Sequence, residues 1–353
     1  MIISRTPFRI SFFGGGTDYP VWYRNHGGEV LGAAIDKYCY LTCRYLPPFF
    51  EHKTRIVYSK IENCQSIQDI QHPAVREILR YFEMTRGVEI HHDADLPARS
   101  GIGSSSSFTV GLLNALAALK GQPYSKHQLA LDSIFLEQEI LKETVGSQDQ
   151  VLAAYGGFNR IRFHAAGNIE VSPVIIPHER IEELNQHCML FYTGLKRTAS
   201  EIAESYVETL NHRQKELKSL QALVPEALSL LASRESIRRF GELLHESWRI
   251  KASLSSRISS GQIDGIYEEA RRAGAIGGKL TGAGGGGFLL LFTPPEYKAK
   301  IRETLKNFIY VPFKFEFSGS QIIFADRETE YSEEQNQNVL RTQPAAIHDE
   351  SEI

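Results

Sequence analysis

Hydrophobic and polar positions alternate in short runs through the first third of the chain. Residues 6–13 and 39–45 read as strands, with shorter strands at 55–58 and 88–92 and helical spacing over 73–86. From Ser104 the period lengthens. Phe108, Leu112, Leu113, Leu116 and Leu119 form an apolar helical stripe that opens among serines and stops at Gly121 and Pro123. A second helix is predicted over about 126–142, and Gly156-Gly157 break the chain before a strand at 158–163. Pro173 and Pro177 mark a boundary within 172–179. Beyond it the pattern predicts a strand at 189–192, helices at 198–222, 225–232, 235–259 and 262–272, a glycine cluster, and a strand at 288–292. A helix at 295–307 and strands at 311–317 and 321–325 complete a second compact unit. The expected class is α+β in two domains, 1–175 and 176–326, followed by a polar acidic tail at 327–353 that is expected to be loosely held or disordered.

Composition narrows the classes. The chain has 353 residues, 42% hydrophobic and 23% charged, enough for a packed core in about two domains. A net charge of −3 argues against a dedicated nucleic-acid binder and leaves room for a local basic pocket. No apolar run approaches the ~18 residues of a membrane span, and the first residues lack the apolar core of a secretory signal. Cys39, Cys43, Cys64 and Cys188 form no C-x-x-C and read as buried thiols of a cytoplasmic protein. His91-His92 stand outside any H-E-x-x-H, so no zinc site is expected.

Three glycine-rich segments carry the candidate chemistry. In the first, the strand bearing Arg9 runs into Gly14-Gly15-Gly16-Thr17-Asp18, either a tight turn with an acidic cap or a close backbone approach to a ligand. In the second, Pro97-Ala98-Arg99-Ser100-Gly101-Ile102-Gly103-Ser104-Ser105-Ser106-Ser107 leads into the striped helix. A glycine loop entering a helix N-terminus presents free amides and the positive end of the dipole, a phosphate site. More serines stand there than an N-cap requires. The third, Lys279-Leu280-Thr281-Gly282-Ala283-Gly284-Gly285-Gly286-Gly287, follows a helix and precedes a strand. That order is the reverse of a dinucleotide fingerprint. It reads as a flexible connection or as another close approach to a ligand. Glu137 and Asp149, twelve residues apart, are either solvated acids or a metal ligand and the group that orients or deprotonates an attacking hydroxyl.

Together the segments resemble the motifs of the GHMP kinase superfamily over about residues 5–325. Residues 7–19 look like its first motif, 97–107 like its Pro-x-x-x-Gly-Leu-Gly-Ser-Ser phosphate loop with Ile102 for leucine, and 279–287 like its third glycine motif. Within the superfamily, residues 7–18, 95–101, 145–150 and 194–201 are similar to those of bacterial D-glycero-D-manno-heptose 7-phosphate kinases. The resemblance implies an N-terminal domain like ribosomal protein S5 domain 2, a ferredoxin-like C-terminal domain, and a site in the cleft between them. It implies ATP on Pro97, Arg99, Ser100, Gly101, Ile102, Gly103, Ser104, Ser105 and Ser106, and Mg2+ on Glu137 with Ser105 or Ser104. Asp149 and Arg9 would be catalytic. Gly14, Gly15, Gly16, Thr17, Asp18, Arg197, Thr281, Gly282, Ala283, Gly284 and Gly285 would meet the substrate.

Gly15-Gly16 stand where galactokinases carry Glu-His, which makes room for a larger or phosphorylated sugar. Arg197, Lys196, Arg99 and Arg44 are the candidate cations for its phosphate. The implied partners are ATP and a small-molecule sugar phosphate, with no nucleic acid and no membrane, and a homodimer left open. The expected reaction is phosphorylation of the anomeric hydroxyl of heptose 7-phosphate. The alternatives are a 1-kinase of unphosphorylated fucose, galactose or heptose, or a non-catalytic sugar sensor on the same fold.

Overall fold

The structure is a computed structural model that describes residues 1–98, 100–195, 203, 207 and 210–326. Strands β1 (Ile2–Phe13) and β2 (Gly28–Tyr45) form its central antiparallel pair, in register from Ile2 opposite Cys43 to Phe13 opposite Leu31. Pro7 cannot donate to the ladder, and the register shifts between Pro7 and Phe8. From Thr6 to Phe13 every residue of β1 is buried, including Arg9 and Ser11. Covered on both faces, this stretch has no polar side to alternate with.

The far edge of β2 is shared by β5 (Val88–Ala94) and β6 (Phe158–Phe163). Outside β5 lie β3 (Thr54–Val57) and β4 (Ile61–Cys64), and outside β6 lies β7 (Ile169–Pro173). This half also carries helices α1 (Pro20–His26), α2 (Pro73–Tyr81), α3 (Ser104–Leu119), α4 (Lys126–Phe135) and α5 (Gln148–Tyr155). Helix α3 packs on β1 and β2. Ser4 Oγ donates to Gly111 O at 2.9 Å and Ser107 Oγ to Pro7 O at 2.8 Å. Arg9 N donates to Ile102 O at 3.2 Å. These bonds fix the start of α3 beside Arg9.

The second sheet comprises β8 (Cys188–Tyr192), β9 (Gly277–Leu280), β10 (Phe288–Phe292) and β11 (Ile309–Val311), antiparallel in the order β11-β8-β10-β9. Helix α6 (His178–His187) leads into it. Helices α7 (Gln214–Ala232), α8 (Arg238–Ser253) and α9 (Gly261–Ala273) connect β8 to β9, and α10 (Lys298–Thr304) connects β10 to β11. Crossovers of this kind, with first and third strands adjacent, make the ferredoxin-like arrangement that was expected. All of β10 is buried, so its sequence is uniformly apolar. The α+β class holds, and among the described residues no helix is long and apolar enough to cross a membrane. The four cysteines are free and buried, and burial pushes the Cys188 thiol up to about 12.

Several expectations change. The run 311–317 is not one strand: Pro312 follows β11, and β12 (Phe315–Glu316) pairs with β2 in the first sheet. Strand β13 (Gln321–Ala325) pairs with β1. These strands were expected to complete the second unit; they close the first sheet instead, so the second unit is inserted between β7 and β12. Helices expected at 198–222 and 225–232 meet in α7, which starts at Gln214 and runs through Pro225; residues 198–202, 204–206 and 208–209 lie outside the described residues. The first half of β2, Gly28 to Ile35, is glycine- and alanine-rich and carried no strand signal. The helix expected over 126–142 turns at Leu136–Ile140 into a π-helical turn.

Candidate active site

The end of β1, the start of α3, the segment 143–149 and the 282–283 turn enclose a cavity of about 290 Å³. Its polar centre is a two-point ion pair. Arg9 Nε donates to Asp149 Oδ1 at 2.6 Å and Nη2 to Asp149 Oδ2 at 2.5 Å, while Nη1 donates to Gly101 O at 2.9 Å. Arg9 is 4% exposed and the Asp149 side chain 24%. The guanidinium is therefore fixed and the carboxylate faces the cavity, with a lone pair left on each oxygen.

Gly103, in the left-handed region (φ 74°), precedes α3, and no side chain caps that helix. A helix that starts this way turns the amides of its first turn toward the loop, the arrangement that receives anions. Gly101 is also left-handed (φ 79°), and a Cβ there would lie 2.5 Å from Thr281 O; a Cβ on Gly282 would lie 2.5 Å from Gly101 Cα. The second and third glycine segments thus touch backbone to backbone, which only glycine permits at these two positions.

Asp18 sits opposite. Gly16 N donates to its Oδ1 and Gln148 Nε2 to its Oδ2, both at 2.9 Å. Burial pushes the Asp18 carboxyl up, partly offset by the Gly16 N–H and reinforced by the charge of Asp149. A group with a raised pKa stabilises the fold most below the ordinary carboxyl range, and that contribution is lost as pH rises through the folded value. Asp18→Asn is accordingly expected to raise the melting temperature by a few degrees at neutral pH, with the gain fading toward acid. Gln148 Oε1 has no partner, so the amide can turn over to accept from the new NH2. Thermal unfolding across pH checks this; a lower melting temperature at neutral pH counts against it.

Glu137 lies in the π-helical turn, a widened turn common at functional sites. Its Oε2 accepts from Ser106 Oγ at 2.9 Å and Gln150 Nε2 at 2.5 Å, whereas Oε1 is buried with no partner. Burial, then the neighbouring Glu143, pushes its carboxyl up to about 8. An orphaned, hard oxygen beside the Ser106 hydroxyl has the chemistry of a magnesium ligand, but Glu137 is fully buried behind Ser106 and does not itself line the cavity. Among the described residues no cluster of three or more His, Cys, Asp or Glu could hold a metal alone. That agrees with the habit of Mg2+ of taking one or two carboxylates and completing its shell with phosphates and water.

The expected residues divide by position. Arg9, Gly16, Asp18, Gly101, Gly103, Ser104, Ser105, Ser106, Asp149, Gly282 and Ala283 line the cavity. Ser106 is committed to Glu137, while Ser105 stands exposed at the cavity. Thr17 does not face a substrate: its hydroxyl donates to Gly14 O and Glu29 O and accepts from Glu29 N, bracing the turn. Gly14 packs on Glu29 O, and Gly15 faces Ser11 and Gln148 behind the wall. Pro97 and Ser100 bond to one another, and Ile102 is core. Thr281 donates to Phe288 O, and Gly284 and Gly285 pack on Ile258. Arg44 is paired with Glu89 on the sheet, away from the cavity. Arg99, Lys196 and Arg197 lie outside the described residues.

Sequence reasoning missed Ser11, Gln148 and Lys251, which also line the cavity, and gave Lys279 no role. Lys251 had one available signal: it falls on the buried stripe Leu244, Ser247, Trp248 of α8, where a cation is out of place.

Residues 69–157 match the family model described as GHMP kinases N terminal domain, and residues 226–311 match GHMP kinases C terminal. A D-glycero-alpha-D-manno-heptose 7-phosphate kinase of Campylobacter jejuni is 29% identical over 317 residues, covering 87% of this chain and 93% of that protein. A galactokinase of Thermococcus kodakarensis is 27% identical over 315 residues, covering 80% and 86%. The solved structure of a D-glycero-D-manno-heptose 1-phosphate kinase from Bacteroides thetaiotaomicron superposes with a TM-score of 0.76 at 22% identity, covering 93% of this chain and 100% of that one.

Proposed function

Because this chain belongs to the GHMP kinases, carrying both of that family's domains, we propose that it transfers the γ-phosphoryl group of ATP to the anomeric hydroxyl of D-glycero-D-manno-heptose 7-phosphate. The products are heptose 1,7-bisphosphate and ADP. The observation that carries this reading is the Arg9–Asp149 pair held against Gly101, in one cavity with the uncapped start of α3. A relative named for heptose 7-phosphate, matched over most of both chains, supports the choice of sugar.

The triphosphate lies on the 101–106 loop and the first-turn amides. The hydroxyl oxygen on C1 forms a bond to the γ-phosphorus as the bond from that phosphorus to the β–γ bridging oxygen breaks. Asp149 orients the hydroxyl and accepts its proton, Arg9 offsets charge on the group in transfer, and Asp18 accepts hydrogen bonds from sugar hydroxyls. Little else is asked of the protein, since phosphoryl transfer runs on positioning and electrostatics. Glu137, with Ser105 or Ser104, would hold Mg2+, which neutralises the triphosphate. The product would feed nucleotide-activated heptose for surface polysaccharide, a cytoplasmic step.

ADP release measured on a panel of sugars tests the reading. Heptose 7-phosphate is expected to give the highest kcat/KM. An inert heptose 7-phosphate beside an active free hexose would replace it with a simple sugar 1-kinase, and no turnover with any sugar despite binding would make the chain a sensor.

A further inference from the structure

The mechanism leaves two buried lysines of the cavity without a task. Lys251 comes from α8 and Lys279 from β9, and they are 6% and 2% exposed. An ammonium has three donors. Lys251 Nζ donates to Gly282 O at 2.5 Å and Lys279 Nζ to Phe12 O at 3.0 Å. Neither makes an ion pair with a carboxylate among the described residues. Asp18, the carboxylate whose charge acts most on Lys251, forms no ion pair with it. Next to Phe12, Ser11 Oγ is buried without any partner.

Burying cations without an ion-pair partner is costly, and an arriving anion would offset that cost. Burial depresses both lysines, Lys251 to about 8 and Lys279 well below its ordinary value, as expected of cations awaiting that charge. The nucleotide's phosphates are already provided for at α3. The lysines instead enter from the second sheet's elements: Lys279 is held at the end of β1 beside Ser11, and Lys251 at Gly282 O, with the charge of Asp18 acting on it.

We propose that Lys251 and Lys279, with the Ser11 hydroxyl, bind the phosphate that the acceptor sugar already carries. This rests on the sugar-phosphate reading above. The test is calorimetric titration of the full chain, without nucleotide, by D-glycero-D-manno-heptose 7-phosphate and by unphosphorylated D-glycero-D-manno-heptose. The wild-type chain is expected to bind the phosphorylated sugar at least tenfold more tightly. Lys251→Met and Ser11→Ala are each expected to shrink that ratio at least threefold, with ADP affinity unchanged in Ser11→Ala. Lys279→Met is expected to do the same, and Lys251→Met decides if that buried strand position does not tolerate the change. A wild-type chain with no preference overturns the sugar-phosphate reading and this assignment with it. A wild-type preference that survives Lys251→Met undiminished overturns the lysine assignment alone.

Discussion

Asp149→Asn is expected to slow turnover by ~10²-fold or more, the usual scale for loss of a positioned general base, and to lower the melting temperature by several degrees because Arg9 is left buried without its counter-charge, while ADP binding stays near wild type. The geometry accounts for both halves. The substitution keeps the side chain's shape and one acceptor for Arg9 Nε. Arg9 also remains tethered by its bond to Gly101 O, so the phosphate loop does not lose its support. What disappears is the negative charge facing Arg9 and the capacity to take the acceptor's proton, and the new NH2 meets Arg9 Nη2 donor against donor. Arg9→Lys should give a loss of similar order, because an ammonium cannot reproduce the two-point contact or the third bond from the same planar group. Single-turnover kinetics with saturating ATP, beside ADP titration, separate chemistry from binding. Turnover near wild type in Asp149→Asn would remove that residue from the reaction.

Gly101→Ala is expected to weaken nucleotide binding tenfold or more and to lower the melting temperature by several degrees. Two effects add at this position. A left-handed conformation costs a residue with a Cβ about 1–2 kcal/mol, and this Cβ would also sit 2.5 Å from Thr281 O. Relief requires the phosphate loop and the Thr281–Gly282 turn to part, which moves Gly101 O away from Arg9 as well. Gly121→Ala separates the two effects, since Gly121 is left-handed (φ 70°) with nothing within 4 Å of its would-be Cβ. Gly121→Ala should cost stability alone. If both variants bind an ATP analogue equally well, contact between the loops does not position the nucleotide.

Much of this was legible in the chain because the signals were local. A glycine loop, serines and an apolar stripe announce the start of α3, and the fully apolar β10 announces a strand buried on both faces. Arg9, Asp18 and Asp149 were found because motif order compresses a spatial relationship into sequence. The losses were of two kinds. The first half of β2 escaped because its small residues serve close packing and carry no alternation. Lys251, Lys279 and Ser11 escaped as a group because their meeting depends on how α8 and β9 lie against the end of β1, over 230 positions away. Thr17 and Thr281 went the other way: adjacent to motif glycines, they serve the turns rather than the ligand.

The placement of β13 beside β1 bears on how the protein is made. The Ile2–Arg5 stretch of β1 lacks its outer neighbour until Gln321–Ala325 has left the ribosome, so most of synthesis passes with that short margin bare. Pairing across such a separation is slow, and a nascent chain in that state is prone to joining another copy of itself. Chaperone demand and inclusion-body formation should therefore follow the time taken to translate the inserted second unit.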